Sequence, residues 1–109
     1  MTHALAVGAP EPLPQRPVSL ADGLTAPFAG EHTLAHVKAH VDAVYEVDED
    51  AIRAAWWDLL DQGKLLVEPS AAVPLAAVHK GLITVRPGDR VVFVLSGGNT
   101  SPAALASLG

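Results

Sequence analysis

The sequence contains no cysteine, which excludes disulfides, thiolate metal sites and cysteine nucleophiles. Among its 109 residues only 5% are aromatic, and 7 Lys and Arg face 12 Asp and Glu, a formal net charge of -5. Because no basic run is present, we do not expect nucleic acid as a partner. Neither a secretory pattern nor a run of about eighteen apolar residues occurs, so no membrane contact is predicted and a cytoplasmic location is expected.

The most informative stretch is an apolar run, residues 91–95, which leads directly into Ser96, Gly97, Gly98 and Asn99. An apolar run without polar alternation predicts a strand that is covered on both faces, as in a parallel sheet. Open α/β sheets bind ligands beyond the carboxyl ends of their strands, so the polar loop is predicted to lie at a ligand site. The two glycines would permit positive φ and a close approach of the ligand to the backbone.

Two segments have apolar residues at helical spacing. One helix is predicted from Glu31 to about Val41, and a longer one over residues 49–62, with Asp48 as its cap and Gly63 just past its end. The first helix has three histidines opposite its apolar face, and we expect them to face water: His32, His36 and His40. Their spacing is compatible with zinc, but a solvated face is the commoner outcome, so no metal site is predicted.

Proline shapes the later part of the chain. Pro69 is suited to the first position of a helix, but Pro74 would remove a hydrogen bond from that helix, so a kink or a later start is expected. A further short helix is predicted from Ser101 to about Leu108.

The domain organisation is predicted as an extended Pro-rich connector over residues 1–18 and a partial α/β domain over residues 19–109. The strand at residues 91–95 needs neighbours, and the sequence offers one other strand candidate, residues 43–47. We therefore expect missing structure to come from upstream chain or another subunit. A truncated gene, a split gene or a mis-assigned start at Met1 would each account for this.

Four short segments share an order and spacing with a known family: Ala21-Asp22-Gly23, residues 41–47, residues 64–70 and residues 91–99. Together they resemble the C-terminal portion of fold-type II pyridoxal-phosphate enzymes, and most closely the threonine/serine dehydratase and serine racemase group. The resemblance implies an α/β fold, a three-layer open parallel sheet flanked by helices, of which this chain is a C-terminal fragment. It also implies pyridoxal 5'-phosphate as the cofactor.

The resemblance implies roles for individual residues. The serine that matches Ser96 hydrogen-bonds the pyridine nitrogen of the cofactor. Because a neutral hydroxyl does not hold that nitrogen protonated as a carboxylate would, the ring is a weaker electron sink, which suits β-elimination from hydroxyamino acids. Gly97 and Gly98 would admit the ring edge, Asn99 would fix the loop by side-chain hydrogen bonds, and Glu68 would lie near the same ring.

Two parts of the family's site have no counterpart in this sequence, the Schiff-base lysine and the glycine-rich phosphate cradle. Lys38, Lys64 and Lys80 match neither. We therefore predict no catalytic residue in this chain, and weak or no cofactor binding by the chain alone.

The resemblance thus implies a fragment of a threonine or serine ammonia-lyase, whose full-length relatives act on an amino-acid substrate. A racemase or threonine-synthase relative is one alternative. Another is a non-enzymatic module that forms a homodimer or complements a separate N-terminal chain. Metal binding through the histidine face is a third.

Overall fold

The computed structural model describes residues 1–101 and 103. In chain order it has helix α1 (Thr2–Val7), a 3-10 turn (Asp22–Leu24), and helices α2 (Glu31–His40), α3 (Glu49–Asp61) and α4 (Pro69–His79). No helix in this part of the chain has the length and apolar character needed to cross a membrane. The terminal helix predicted from residue 101 lies almost wholly outside the described residues.

Helix α3 begins at a capped N-terminus, as predicted. The Asp48 carboxylate accepts a hydrogen bond from the Ala51 N–H at 2.8 Å. The ammonium of Lys80, just past the end of α4, lies 3.0 Å from the second Asp48 oxygen. The hydrogen bond from Ala51 and then the contact with Lys80 lower the pKa of Asp48 below its ordinary value of 3.8.

The C-terminal end of α3 confirms the prediction to within one residue, because the helix ends at Asp61. Gly63 is packed closely there, since a Cβ at this position would lie 2.7 Å from the Leu59 carbonyl oxygen. The chain then reverses through Lys64, whose φ is 55°.

Helix α4 begins at Pro69 and continues through Pro74, so the expected later start is wrong. An internal proline costs a helix roughly 3 kcal/mol. The compensation comes from packing, because α4 presents small residues to its surroundings that are buried: Ala71, Ala72, Ala76 and Ala77.

The main apolar cluster lies between α3 and α4. Ala55 and Trp56 of α3 pack with Ala72 and Ala76 of α4, and all four are buried. Methyl groups let the helices approach closely, and the Trp56 ring fills the remaining space. The Trp56 indole N–H donates to the Val67 carbonyl at 2.6 Å, which ties α3 to the segment that enters α4.

A second, smaller cluster joins α1 to α2 through buried Ala4, Ala29 and Leu34. Helix α1 was not predicted, because six residues are too few to show helical periodicity. It occupies part of the segment predicted as an extended connector, and the remainder of residues 1–18 has no regular element.

The two predicted strands are not formed in the part of the chain that the structure describes, so the parallel sheet is not confirmed. In residues 91–95, predicted to be covered on both faces, Val92 is 85% exposed and Val94 is 73% exposed. Residues 43–47 are also largely exposed. The physical reason is the one that limits any isolated strand: neighbours to hydrogen-bond with the segment are absent from the described residues.

The helix predicted from Glu31 is confirmed as α2, with Leu34 buried. All three of its histidines lie on the outside of the molecule, which confirms that they face water: His32, His36 and His40. Within the described residues, no three His, Cys, Asp or Glu side chains are grouped so that they could hold a metal ion.

Candidate functional site

Three segments that are distant in sequence meet at the N-terminal end of α4. The Gly23 N–H, in the 3-10 turn, donates to the Ser70 hydroxyl at 3.1 Å. The Glu68 N–H donates to the Gly97 carbonyl, and the Asn99 N–H donates to a Glu68 carboxylate oxygen, each at 3.2 Å. We call these five residues the Glu68 latch.

Both glycines of the Glu68 latch touch the Glu68 side chain. A Cβ added at Gly97 would lie 2.4 Å from the Glu68 Cδ and 2.5 Å from its Oε1. One added at Gly23 would lie 2.9 Å from the Ser70 Oγ and 3.3 Å from the Glu68 Oε1. The carboxylate of Glu68 is therefore enclosed between two stretches of backbone.

The structure brings together four of the five predicted site residues, and the fifth, Gly98, lies in the same loop. Gly97 has a φ of 121°, as its predicted freedom requires, whereas Gly98 does not have a positive φ. Asn99 fixes the loop through its main-chain N–H, and no hydrogen bond from its side chain to another described residue is present, contrary to expectation. Ser96 is exposed and directly precedes the Glu68 latch residue Gly97.

The outer side of this loop is open. The Ser96 hydroxyl makes no hydrogen bond to any residue that the structure describes, and a Cβ at Gly98 would meet nothing within 4 Å. A hydroxyl without an internal partner, beside backbone without side chains, fits the edge of a planar heterocycle that carries a ring nitrogen. The residues present therefore fit the ring-nitrogen side of a pyridoxal-phosphate cofactor.

The three lysines are all engaged away from this loop. Lys38 donates to the Gly8 carbonyl at 2.8 Å, Lys64 to the Asp61 carbonyl, and Lys80 contacts Asp48. None of them contacts the predicted site, which agrees with the absence of a matching cofactor lysine in the sequence.

An open groove of 580 Å³ lies on another side of the 3-10 turn, between Leu24, Tyr45 and Ile52. None of the predicted site residues lines it. It is therefore separate from the Ser96 loop.

Sequence reasoning missed Gly23 and Ser70 as part of the site. Both lie in segments that carry the family resemblance, but the sequence alone gives them no role beyond turn chemistry and membership of a motif. Their spatial meeting with Glu68 requires the packing of α4 against the 3-10 turn. The signal available in the sequence was the co-occurrence of Asp22-Gly23 with Glu68-Pro69-Ser70.

Comparison with known proteins gives consistent results. A family model described as "Pyridoxal-phosphate dependent enzyme" matches residues 1–97. Phenylserine dehydratase of Ralstonia pickettii is 39% identical over 88 residues, which is 81% of this chain and 27% of that protein. L-threonine ammonia-lyase of Geobacter sulfurreducens is 44% identical over 82 residues, which is 75% of this chain and 20% of that protein.

Two solved structures superpose on 91% of this chain. A threonine deaminase from the organism abbreviated T.th. does so with a TM-score of 0.75 and 33% identity, and serine racemase from Dictyostelium discoideum with 0.71 and 30%. The chain covers 35% and 31% of these two structures. It therefore spans about a third or less of each of these four relatives.

Proposed function

Because the chain belongs to the family of pyridoxal-phosphate dependent enzymes, we propose that it forms the C-terminal part of a threonine or serine dehydratase, an ammonia-lyase. Such an enzyme eliminates the β-hydroxyl of a hydroxyamino acid. The names of the relatives, threonine ammonia-lyase and phenylserine dehydratase, support this reaction class.

The observation that carries the proposal is the exposed, unpartnered hydroxyl of Ser96 on a loop fixed by the Glu68 latch. The cofactor, when bound, supplies an electron sink for the negative charge that develops at the substrate α-carbon. Ser96 would hold a hydrogen bond to the ring nitrogen, and Gly97 and Gly98 would leave room for the ring edge. Glu68 and Asn99 complete the proposed set of cofactor-site residues.

The test uses pyridoxine 5'-phosphate, which has the cofactor's ring and phosphate but no aldehyde to react with lysines. In a titration followed by ¹H–¹⁵N NMR, we expect the shifted amides to cluster at residues 96–99. Ser96→Ala should weaken the weak binding by about three- to tenfold, the value of one hydrogen bond, whereas the exposed control Ser101→Ala should not. Shifts scattered over the helices, or equal binding by both variants, would contradict the proposal.

The superposition on serine racemase supports a second reaction for the same site, racemisation of serine. The two reactions yield different products when the chain is assembled with the remainder of its fold. Ammonia and a keto acid indicate the lyase, and D-serine indicates the racemase.

A non-enzymatic interaction module is the second candidate function. The accessible surface is 7458 Å², whereas a compact monomer of this size exposes about 5,700 Å². Part of the excess is the exposed apolar run that contains Val92 and Val94. Sedimentation analysis would separate the candidates: a stable homodimer that ignores pyridoxine 5'-phosphate favours the module, and a monomer that binds it favours the cofactor site.

A further inference from the structure

We propose that Glu68 is a positioning residue, which holds the Ser96 loop in place through the Glu68 latch and does not itself touch the cofactor. This inference rests on the proposed function and deepens it, because it assigns the division of labour between Glu68 and Ser96. The sequence resemblance placed Glu68 near the ring but gave it no contact of its own.

The first observation is that the Glu68 backbone and side chain bind the same loop. Its N–H donates to the Gly97 carbonyl while its carboxylate accepts from the Asn99 N–H. Two hydrogen bonds from one residue to positions two apart fix both the location and the orientation of the loop. Because Ser96 is covalently joined to Gly97, its hydroxyl is placed by the same two bonds.

The second observation is the enclosure of the Glu68 carboxylate. Its Oε1 and Cδ lie against Gly97, and its Oε1 is also close to Gly23, where any side chain would collide. A group surrounded in this way by two glycines and a helix start is occupied by protein backbone. Ser96, by contrast, is exposed and has no partner among the described residues.

The third observation is the attachment of the latch to the core. Glu68 directly follows Val67, whose carbonyl accepts the bond from the buried Trp56 indole. Ser70, at the second position of α4, holds the 3-10 turn through Gly23. The loop is thus anchored, through Glu68, to the most tightly packed part of the molecule.

The test compares Glu68→Ala, which removes the acceptor, with Glu68→Gln, which keeps one, and with Glu46→Ala as an exposed control. Amide hydrogen exchange of Asn99 and binding of pyridoxine 5'-phosphate are both measured. In Glu68→Ala, exchange at Asn99 should rise about fivefold or more and binding should weaken. Glu68→Gln should restore most of both, and the control should change neither.

Unchanged exchange at Asn99 in Glu68→Ala would overturn the inference. So would weaker binding without faster exchange, because Glu68 would then touch the ligand directly, and so would faster exchange with full binding. If the unmodified chain binds no pyridoxine 5'-phosphate, the proposed cofactor role fails, and the exchange at Asn99 alone decides whether Glu68 fixes the loop.

Discussion

Replacing Gly97 with alanine is the sharpest test of the geometry at the loop. The residue has a φ of 121°, which side-chain-bearing residues adopt at a cost of about 1–3 kcal/mol. The new methyl would also lie 2.4 Å from the Glu68 Cδ, so Glu68 must rotate away and release the Asn99 N–H. That hydrogen bond adds a further ~1 kcal/mol, and the combined loss is between about 1 and 4 kcal/mol.

Gly98→Ala is the matched control, because a Cβ there meets nothing within 4 Å and the φ is not positive. Urea unfolding gives the global loss, and hydrogen exchange at Asn99 gives the local one. We expect Gly97→Ala to raise exchange at Asn99 strongly, and to lower the unfolding free energy if the loop unfolds with the core. Equal behaviour of the two variants in both measurements would refute the reasoning.

Three further predictions concern the core, the cap and the exposed apolar run. Trp56→Phe removes the hydrogen bond to Val67 and leaves a small cavity, so urea unfolding should show a loss of about 2 kcal/mol, against less than ~0.5 for the partly exposed Trp57→Phe. Asp48 has a lowered pKa in the folded state, so its contribution is complete above pH 3.8 and is lost as the pH falls through the lower folded pKa. Asp48→Asn keeps a capping side chain but does not titrate, so its unfolding free energy should fall less between pH 5 and pH 3, and parallel curves would contradict this. Val92→Lys should change the unfolding free energy of this chain by less than ~0.5 kcal/mol, since Val92 is 85% exposed, and a larger loss would show that the segment is covered in solution.

The helices that sequence reasoning predicted well are those with local signals. In α3 the cap at Asp48 and the apolar spacing agree with each other, and the structure follows them to within one residue. Helix α4 shows the limit of such signals. Pro74 favoured a late start, but the burial of Ala72 and Ala76 against α3 outweighs the local penalty.

Residues 91–95 show why non-local structure was harder to predict. Their apolar run describes an environment, and the residues that would form that environment are not among those that the structure describes. The site was predictable in composition, since Ser96, Gly97 and Glu68 carry the family resemblance. The contact between Glu68 and Gly23 was not, because it joins residues 45 positions apart through the packing of a helix end.

The alanine-rich interior has a thermal consequence. Of the eleven buried apolar residues among those described, eight are alanine, and only Leu34, Ile52 and Trp56 are larger. The heat capacity of unfolding grows with the apolar area exposed, and methyl groups expose little, so we expect less than the usual value of about 12–15 cal/mol/K per residue. The free energy of unfolding should then vary only gently with temperature. Calorimetry of this chain would show a broad, shallow transition in place of a sharp peak.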